Sequence, residues 1–278
     1  MDGYYGNRLR DELAKGETIP FIGVYDVFSA TVAGRYFNAL FISGFGFAAS
    51  HYGLPDIGFI AWSDLVAFVQ RVRTVLPQHH LLVDIDDGYC DPEVACHVVS
   101  LLEKAGASGV VLEDQKRPRK CGHFDGKQIM ESDEYVAKLK QVLATRRSLY
   151  VVARSDASDP EDIVRRITAY ADAGPDALLV DGLRDLGMIA ELKSRVQKPF
   201  VLSQIAGGKS PMTGLRQMNE AGVTLVIYST PCLFAAQGAM ESAMASLCEN
   251  DGNLGTVPGV VRLQECNAVL QANLARRE

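Results

Sequence analysis

Short apolar runs that end on polar side chains recur along the chain: FIGVYD (21–26), ALFISGF (39–45), LLVDID (81–86), GVVLED (109–114), LYVVARS (149–155), ALLVDG (177–182), FVLSQI (200–205) and LVIYST (225–230). Near-continuous Val/Ile/Leu runs of this length predict parallel strands covered on both faces. Between them lie segments with helical spacing, among them WSDLVAFVQRVRTVL, DPEVACHVVSLLEKAG and EDIVRRITAYADAG. Asp91-Pro92 and Asp159-Pro160 read as helix starts, and two of these segments end in Ala-Gly, where glycine supplies a left-handed cap. Eight strand–helix units in 278 residues predict one domain over 1–278, a closed (β/α)8 TIM-type barrel. The competing open sheet would carry a glycine-rich dinucleotide turn after the first strand, and VYDVFSATVAG has no GxGxxG.

Two connections, 46–80 and 115–148, are longer than a helix requires. Extra chain at the C-terminal ends of barrel strands is where lids and binding loops sit. The segment 115–132 is therefore a candidate lid. A helical segment over 260–277, within a C-terminal extension from 258 to 278, is surplus to the barrel. It is expected to pack on a neighbouring subunit or to cap the bottom.

Composition narrows the function classes. A formal net charge of −6 argues against a nucleic-acid surface, which needs clustered cations. No apolar run reaches the roughly 18 to 20 residues of a membrane span. The first residues are polar and mixed in charge, unlike a secretory signal, and the six dispersed cysteines have no CxxC pair. A cytoplasmic enzyme with reduced thiols and a small-molecule substrate is the expectation.

In a barrel the strand ends share one mouth, which here would receive Ser43, Asp84, Asp86, Glu113, Arg154, Asp181, Ser203 and Tyr228. Gathered carboxylates repel unless a cation compensates them. Asp84 and Asp86, two apart on one strand, should point the same way, with Glu113 beside them. Few, hard oxygen ligands suit Mg²⁺ better than zinc. Asp87 and Asp114 are expected to be helix caps or solvated loop acids. Arg154, at the end of an apolar strand, calls for a bidentate carboxylate or phosphonate partner; a buried ion pair with Glu113 or Asp156 is the alternative. Cys121 lies in the cation-rich stretch LEDQKRPRKCGHFDGK, where a lowered thiol pKa is expected. An incidental cysteine in a basic surface loop is the other reading.

EDQ…KCGH…GK following DIDDGYCD, with SGFGFAASHYGLPDIG upstream and ARSDA downstream, resembles the isocitrate lyase/phosphoenolpyruvate mutase superfamily, in its short forms. The resemblance runs over most of 25–236. It implies that Ser43, Gly44 and Phe45 hold the substrate's α-carboxylate. Asp56, Asp84, Asp86 and Glu113 would surround Mg²⁺ (Mn²⁺ as a substitute), several of them through water. Arg154 would bind the oxo-acid end, with Tyr25, Gly122, Asp181 and Ser203 as further substrate contacts. Cys121 would protonate the departing carbanion from a gating lid, supported by His123, with Lys120 and Arg154 completing the catalytic set. It also implies a homotetramer, a dimer of helix-exchanged dimers.

Departures from that pattern are informative. Arg119 stands where the lyases have a lysine, and a guanidinium cannot act as a base at neutral pH. Cys90 replaces a glycine, Asp181 a glutamate, Ser203 an asparagine and Ala206 a glutamate. The magnesium half of the site is thus retained and the distal half altered. The leading expectation is a carbon–carbon lyase acting on a substituted 2-hydroxy dicarboxylate through an enolate-like intermediate, giving a 2-oxo acid and a second carboxylic acid. Phosphorus–carbon mutase and oxaloacetate hydrolase or decarboxylase activities are the alternatives, and a non-catalytic oxo-acid-binding barrel is the reading from another class.

Overall fold

A computed structural model describes residues 4–276. Eight parallel strands close into a barrel in sequence order, β1 (Ile19–Val24), β2 (Ala39–Ile42), β3 (His80–Asp84), β4 (Gly109–Glu113), β5 (Tyr150–Ser155), β6 (Ala177–Val180), β7 (Phe200–Gln204) and β8 (Val223–Tyr228), and β8 pairs with β1. The predicted (β/α)8 architecture is therefore the observed one.

Two apolar cores follow from the two-residue period of each strand. Phe21, Phe41, Leu82, Val111, Val152, Leu179, Val201 and Ile227 fill the lumen, whereas Leu81, Val83, Val110 and Val151 face the surrounding helices. Helix α1 (Tyr5–Leu13) closes the bottom of the lumen with Leu9 and Leu13.

The helices begin and end for the reasons the sequence announces. α2 (Val27–Ala33) has Asp26 as N-cap in a capping box with Ser29. A short α3 (Gly44–Phe47) runs into a π turn over Ala48–Tyr52, followed by α4 (Trp62–Val75). α5 (Pro92–Ala105) and α7 (Pro160–Ala173) start on Asp-Pro, the Asp91 and Asp159 carboxylates accepting first-turn amides. Both end on glycines at φ 95°, Gly106 and Gly174. Between them α6 (Ser132–Thr145) follows the irregular stretch 115–131, whose one isolated bridge joins Gln115 to Ile129. The remaining helices are α8 (Gly187–Arg195), α9 (Leu215–Glu220), α10 (Pro231–Glu249) and α11 (Leu263–Ala275).

α11 is the helix expected over 260–277; Arg277 lies outside the described residues. It does not cap the bottom, a place taken by α1. It leans on α2, where Asn273 Nδ2 donates to Thr31 Oγ1 at 2.9 Å. No described helix is long and apolar enough to cross a membrane, and all six cysteines are free.

Candidate active site

The two-residue period that fills the lumen also builds the mouth. Two residues beyond the inward Phe41, Leu82, Val111, Val152, Leu179, Val201 and Ile227 stand Ser43, Asp84, Glu113, Arg154, Asp181, Ser203 and Ser229. Six of these seven, all but Glu113, line one narrow cavity with Phe45, Asp56, Arg119, Cys121, Gly122 and Ile205. Glu113 sits behind it, 1% exposed, against both arginines. Tyr25 and Tyr228, named from the sequence, do not line the cavity.

On the β3–β5 side the acids do gather, but around a cation the sequence reading had not placed. Arg119, 1% exposed, pairs with Asp56, with Asp86 at 3.1 Å and with Glu113 at 2.8 Å. Burial works against its charge, but Asp86, Glu113 and Asp56 outweigh that and hold it firmly protonated. Asp86 does not reach the cluster by strand alternation, as expected. β3 ends at Asp84, and Asp86 turns through a left-handed φ of 51°.

Asp84 differs from its neighbours. It is buried, makes no ion pair in the structure, and accepts only the Asp86 amide at 3.2 Å. A Cβ on Gly44 would lie 3.1 Å from Asp84 Oδ2, so the glycine leaves this carboxylate open. Burial pushes the carboxyl groups of Asp84 and Asp86 up and that of Glu113 to about 7. Around the mouth six carboxylates (Asp56, Asp84, Asp86, Glu113, Asp156, Asp181) meet three cations (Arg119, Arg154, Lys127). Among the described residues no three His, Cys, Asp or Glu side chains form a ready-made metal cage. Asp84, a carboxylate with no ion pair, fits a hard divalent ion whose shell water completes.

Of the two readings of Arg154, the structure shows the buried ion pair. Its guanidinium forks onto Asp156 (2.8 and 3.0 Å), and Nη2 also reaches Glu113 at 3.2 Å and Asp181 at 2.9 Å. Asp156 is held in turn by Lys127 at 2.8 Å. Asp114 is not the solvated or capping acid expected of it. It is fully buried and accepts from Ser155 Oγ, the Asp156 amide and Tyr170 OH at 2.7 to 2.9 Å, which fixes the backbone carrying Arg154. Nor is Asp87 a cap: buried, it binds Arg117 and the amides of Tyr89 and Cys90.

The 115–131 segment lies over the cavity. Gly122 rests directly on the Arg154–Asp181 pair, where an added Cβ would meet Asp181 Oδ2 at 1.7 Å and Arg154 Nη2 at 2.4 Å. Only glycine fits there. Lys127 ties the segment down by bridging Gly122 O at 2.6 Å to Asp156 Oδ1 at 2.8 Å, and Lys209 does so through Asp125 at 2.6 Å. Cys121 faces the cavity, but its thiol is not acidified. Burial pushes it up to about 11, so it stays protonated, contrary to the expectation from its cationic neighbours in sequence. Lys120, a sequence candidate for catalysis, is exposed and does not line the cavity; its Nζ donates to Asp125 O at 3.5 Å. His123 accepts the Lys209 amide at Nδ1 (2.9 Å) and turns Nε2 toward Asp181 Oδ1 at 3.8 Å. Ser43 caps α3, its Oγ accepting the Gly46 amide at 3.1 Å. Sequence reasoning missed Arg119 as the internal counter-charge and Lys127 as the tether of the 115–131 segment. Both lay in the quoted motifs, but only the path of the loop shows which cations turn inward.

Comparison with known proteins matches the geometry. The family model described as phosphoenolpyruvate phosphomutase matches residues 9–248. A 2-methylisocitrate lyase of Aeropyrum pernix is 32% identical over 245 residues, covering 87% of this chain and 79% of that protein. The crystal structure of 2,3-dimethylmalate lyase superposes with a TM-score of 0.90 at 26% identity, covering 98% of this chain and 93% of that one. That of oxaloacetate acetylhydrolase with 3,3-difluorooxalacetate gives 0.89 at 27% identity, covering 98% and 94%. The barrel superposes on these relatives over nearly its whole length, and the chain belongs to the phosphoenolpyruvate mutase family of the isocitrate lyase/phosphoenolpyruvate mutase superfamily.

Proposed function

We propose that the protein is a Mg²⁺-dependent carbon–carbon lyase that cleaves a substituted 2-hydroxy dicarboxylate into a 2-oxo acid and a second carboxylic acid. One observation carries this reading: the unpaired carboxylate of Asp84 opens onto the same cavity as the protonated thiol of Cys121 and the guanidinium of Arg154. Lyase relatives such as the 2-methylisocitrate and 2,3-dimethylmalate enzymes support it.

Asp84 would hold the ion, with Asp56, Asp86 and Glu113 acting through water. When bound, the ion supplies stabilisation of the negative charge that develops on oxygen beside the breaking bond. The amides of Gly44 and Phe45 and the Ser43 hydroxyl bind the α-carboxylate at the start of α3, and Arg154 orients the other acid group. As the C2 hydroxyl passes its proton to a carboxylate of the Asp84, Asp86 and Glu113 cluster, the C2–C3 bond breaks and C2 becomes a carbonyl. The bond's electron pair passes to C3 as an enolate-like carbanion, which the Cys121 thiol protonates. A thiol at about 11 is uncharged at neutral pH and suits a proton donor. The 115–131 lid keeps bulk water from quenching that carbanion.

The test is a panel of 2-alkylmalates, 2-methylisocitrate, oxaloacetate and phosphonopyruvate with Mg²⁺, followed by 2-oxo acid release and phosphorus NMR. Carbon–carbon cleavage is expected. Phosphonate turnover alone would replace the reading with the mutase, acetate plus oxalate with the oxaloacetate hydrolase, and no turnover with the inactive barrel.

A cytoplasmic homotetramer built from helix-exchanged dimers belongs to the same proposal. α10, 19 residues long, buries none of its side chains, and Met240, Met244, Leu263, Leu270 and Leu274 are exposed along α10 and α11. Apolar surface of this extent on a soluble chain calls for a partner. Light scattering should give the tetramer mass, and deletion of 258–278 should lower it.

A further inference from the structure

The β6–β8 side of the cavity carries chemistry the mechanism above does not use. Its lining is Leu179, Asp181, Ser203, Ile205, Ile227 and Ser229, with no cation from these strands. The arginines across the mouth are already shared, Arg119 among Asp56, Asp86 and Glu113, and Arg154 among Asp156, Glu113 and Asp181. Gln204 turns out of the lumen and donates to Pro211 O.

Two polar atoms at its edge are buried without a hydrogen-bond partner: Asp181 Oδ1, of the lining, and His123 Nε2, of the 115–131 segment just behind that lining, 3.8 Å apart. Asp181 is 6% exposed. The roles of the two atoms are fixed. His123 Nδ1 accepts the Lys209 amide, so the neutral ring carries its proton on Nε2. Burial pushes the imidazole down, which keeps the ring neutral. Nε2–H is a donor, and Asp181 Oδ1 an acceptor.

A group placed against both atoms must accept from one and donate to the other. A hydroxyl does both. A carboxylate only accepts and meets the like charge of Asp181, and an alkyl group leaves both atoms unpaired. Ser203 and Ser229 add hydroxyls to the same cavity wall, and Ile205, Leu179 and Ile227 offer apolar surface to a carbon chain.

We infer that the substrate carries an uncharged, hydroxyl-bearing substituent on C3, seated between His123 Nε2–H and Asp181 Oδ1, in place of a third carboxylate. This rests on the lyase reading for the rest of the substrate and narrows its class to hydroxyalkyl-substituted 2-hydroxy dicarboxylates.

Calorimetry on the wild-type protein with Mg²⁺ tests it, using three 3-substituted malates that differ only in that substituent: hydroxymethyl, ethyl and carboxymethyl. The hydroxymethyl compound should bind about 10-fold tighter than its ethyl isostere, whose methyl strands both polar atoms, and at least about 30-fold tighter than the carboxymethyl compound. Ethyl binding as tightly as hydroxymethyl, or carboxymethyl binding equally or better, overturns the inference whether or not any of them turns over. Cleavage of the carboxymethyl compound in preference to the others would overturn it and leave the lyase reading standing. Binding of none of the three would remove both.

Discussion

The two sides of the mouth are built on opposite principles. From β3 to β5 the acids are interlocked with buried arginines before any ligand arrives: Arg119 among Asp56, Asp86 and Glu113, and Arg154 between that same Glu113 and Asp156, with one oxygen of Asp181 reached across the mouth. From β6 to β8 the strand ends offer hydroxyls, aliphatic carbon and an acceptor without a donor. The first side is pre-organised and resists change, because each buried charge depends on the others. The second is loosely specified and takes its meaning from the ligand.

The largest effect that would break this contrast is removal of Arg119. Arg119→Met strands the buried Asp56, Asp86 and Glu113, and should cost about 3 to 5 kcal/mol in urea unfolding. Arg119→Lys should recover part of that, since it restores charge without the fork. If Arg119→Met is as stable as the wild type, the interlocked side is not what holds the mouth together.

Next comes Cys121→Ser, which keeps the shape and removes the better proton donor. Turnover should fall by about 10² to 10⁴-fold while 2-oxo acid binding, measured by calorimetry, is kept. Unchanged turnover would mean that the thiol is packing rather than chemistry.

How much of this was legible beforehand follows from the same contrast. Eight strands, their order and the inward residues could be read because burial on both faces and a period of two leave a direct record in apolar runs. Asp84, Glu113, Arg154, Asp181 and Ser203 lie in phase with inward Leu82, Val111, Val152, Leu179 and Val201, so they were found. What could not be read depends on the path of irregular chain. Arg119 and Lys120 are adjacent, yet one is the most buried cation at the mouth and the other faces solvent. Cys121 was expected to be acidified by charges next to it in sequence, but its pKa is set by burial against the cavity. Asp86 enters the cluster by a left-handed turn that strand alternation does not foresee.

A smaller effect contrasts the mouth with the barrel bottom, where His80 is 8% exposed with Nδ1 unpartnered. Burial pushes its pKa down to about 4. The unfolded chain, with His80 near 6.5, binds the proton first. His80 therefore subtracts stability as pH falls from about 6.5 toward 4, on the order of 2 kcal/mol, and the loss levels off below that. His80→Gln should flatten that part of the profile in urea unfolding, and an identical slope in the variant would assign it elsewhere.

The smallest effect is at the edge of the interlocked side. Cys90 is exposed at φ 72°, a conformation that favours glycine, and its amide already donates to Asp87. Cys90→Gly should raise stability by about 1 kcal/mol, read as a shift in urea midpoint. A loss of stability would mean that the side chain makes up for the strain.

The central claim is that the open carboxylate of Asp84 holds a divalent ion beside the Arg119 cluster. Titration of the ligand-free protein with Mg²⁺ in a calorimeter tests it most directly, with Asp84→Asn run alongside under the same conditions. The account predicts one site in the wild type and its loss in the variant. A wild type that binds no Mg²⁺, or an Asp84→Asn variant that binds it equally well, would contradict the account.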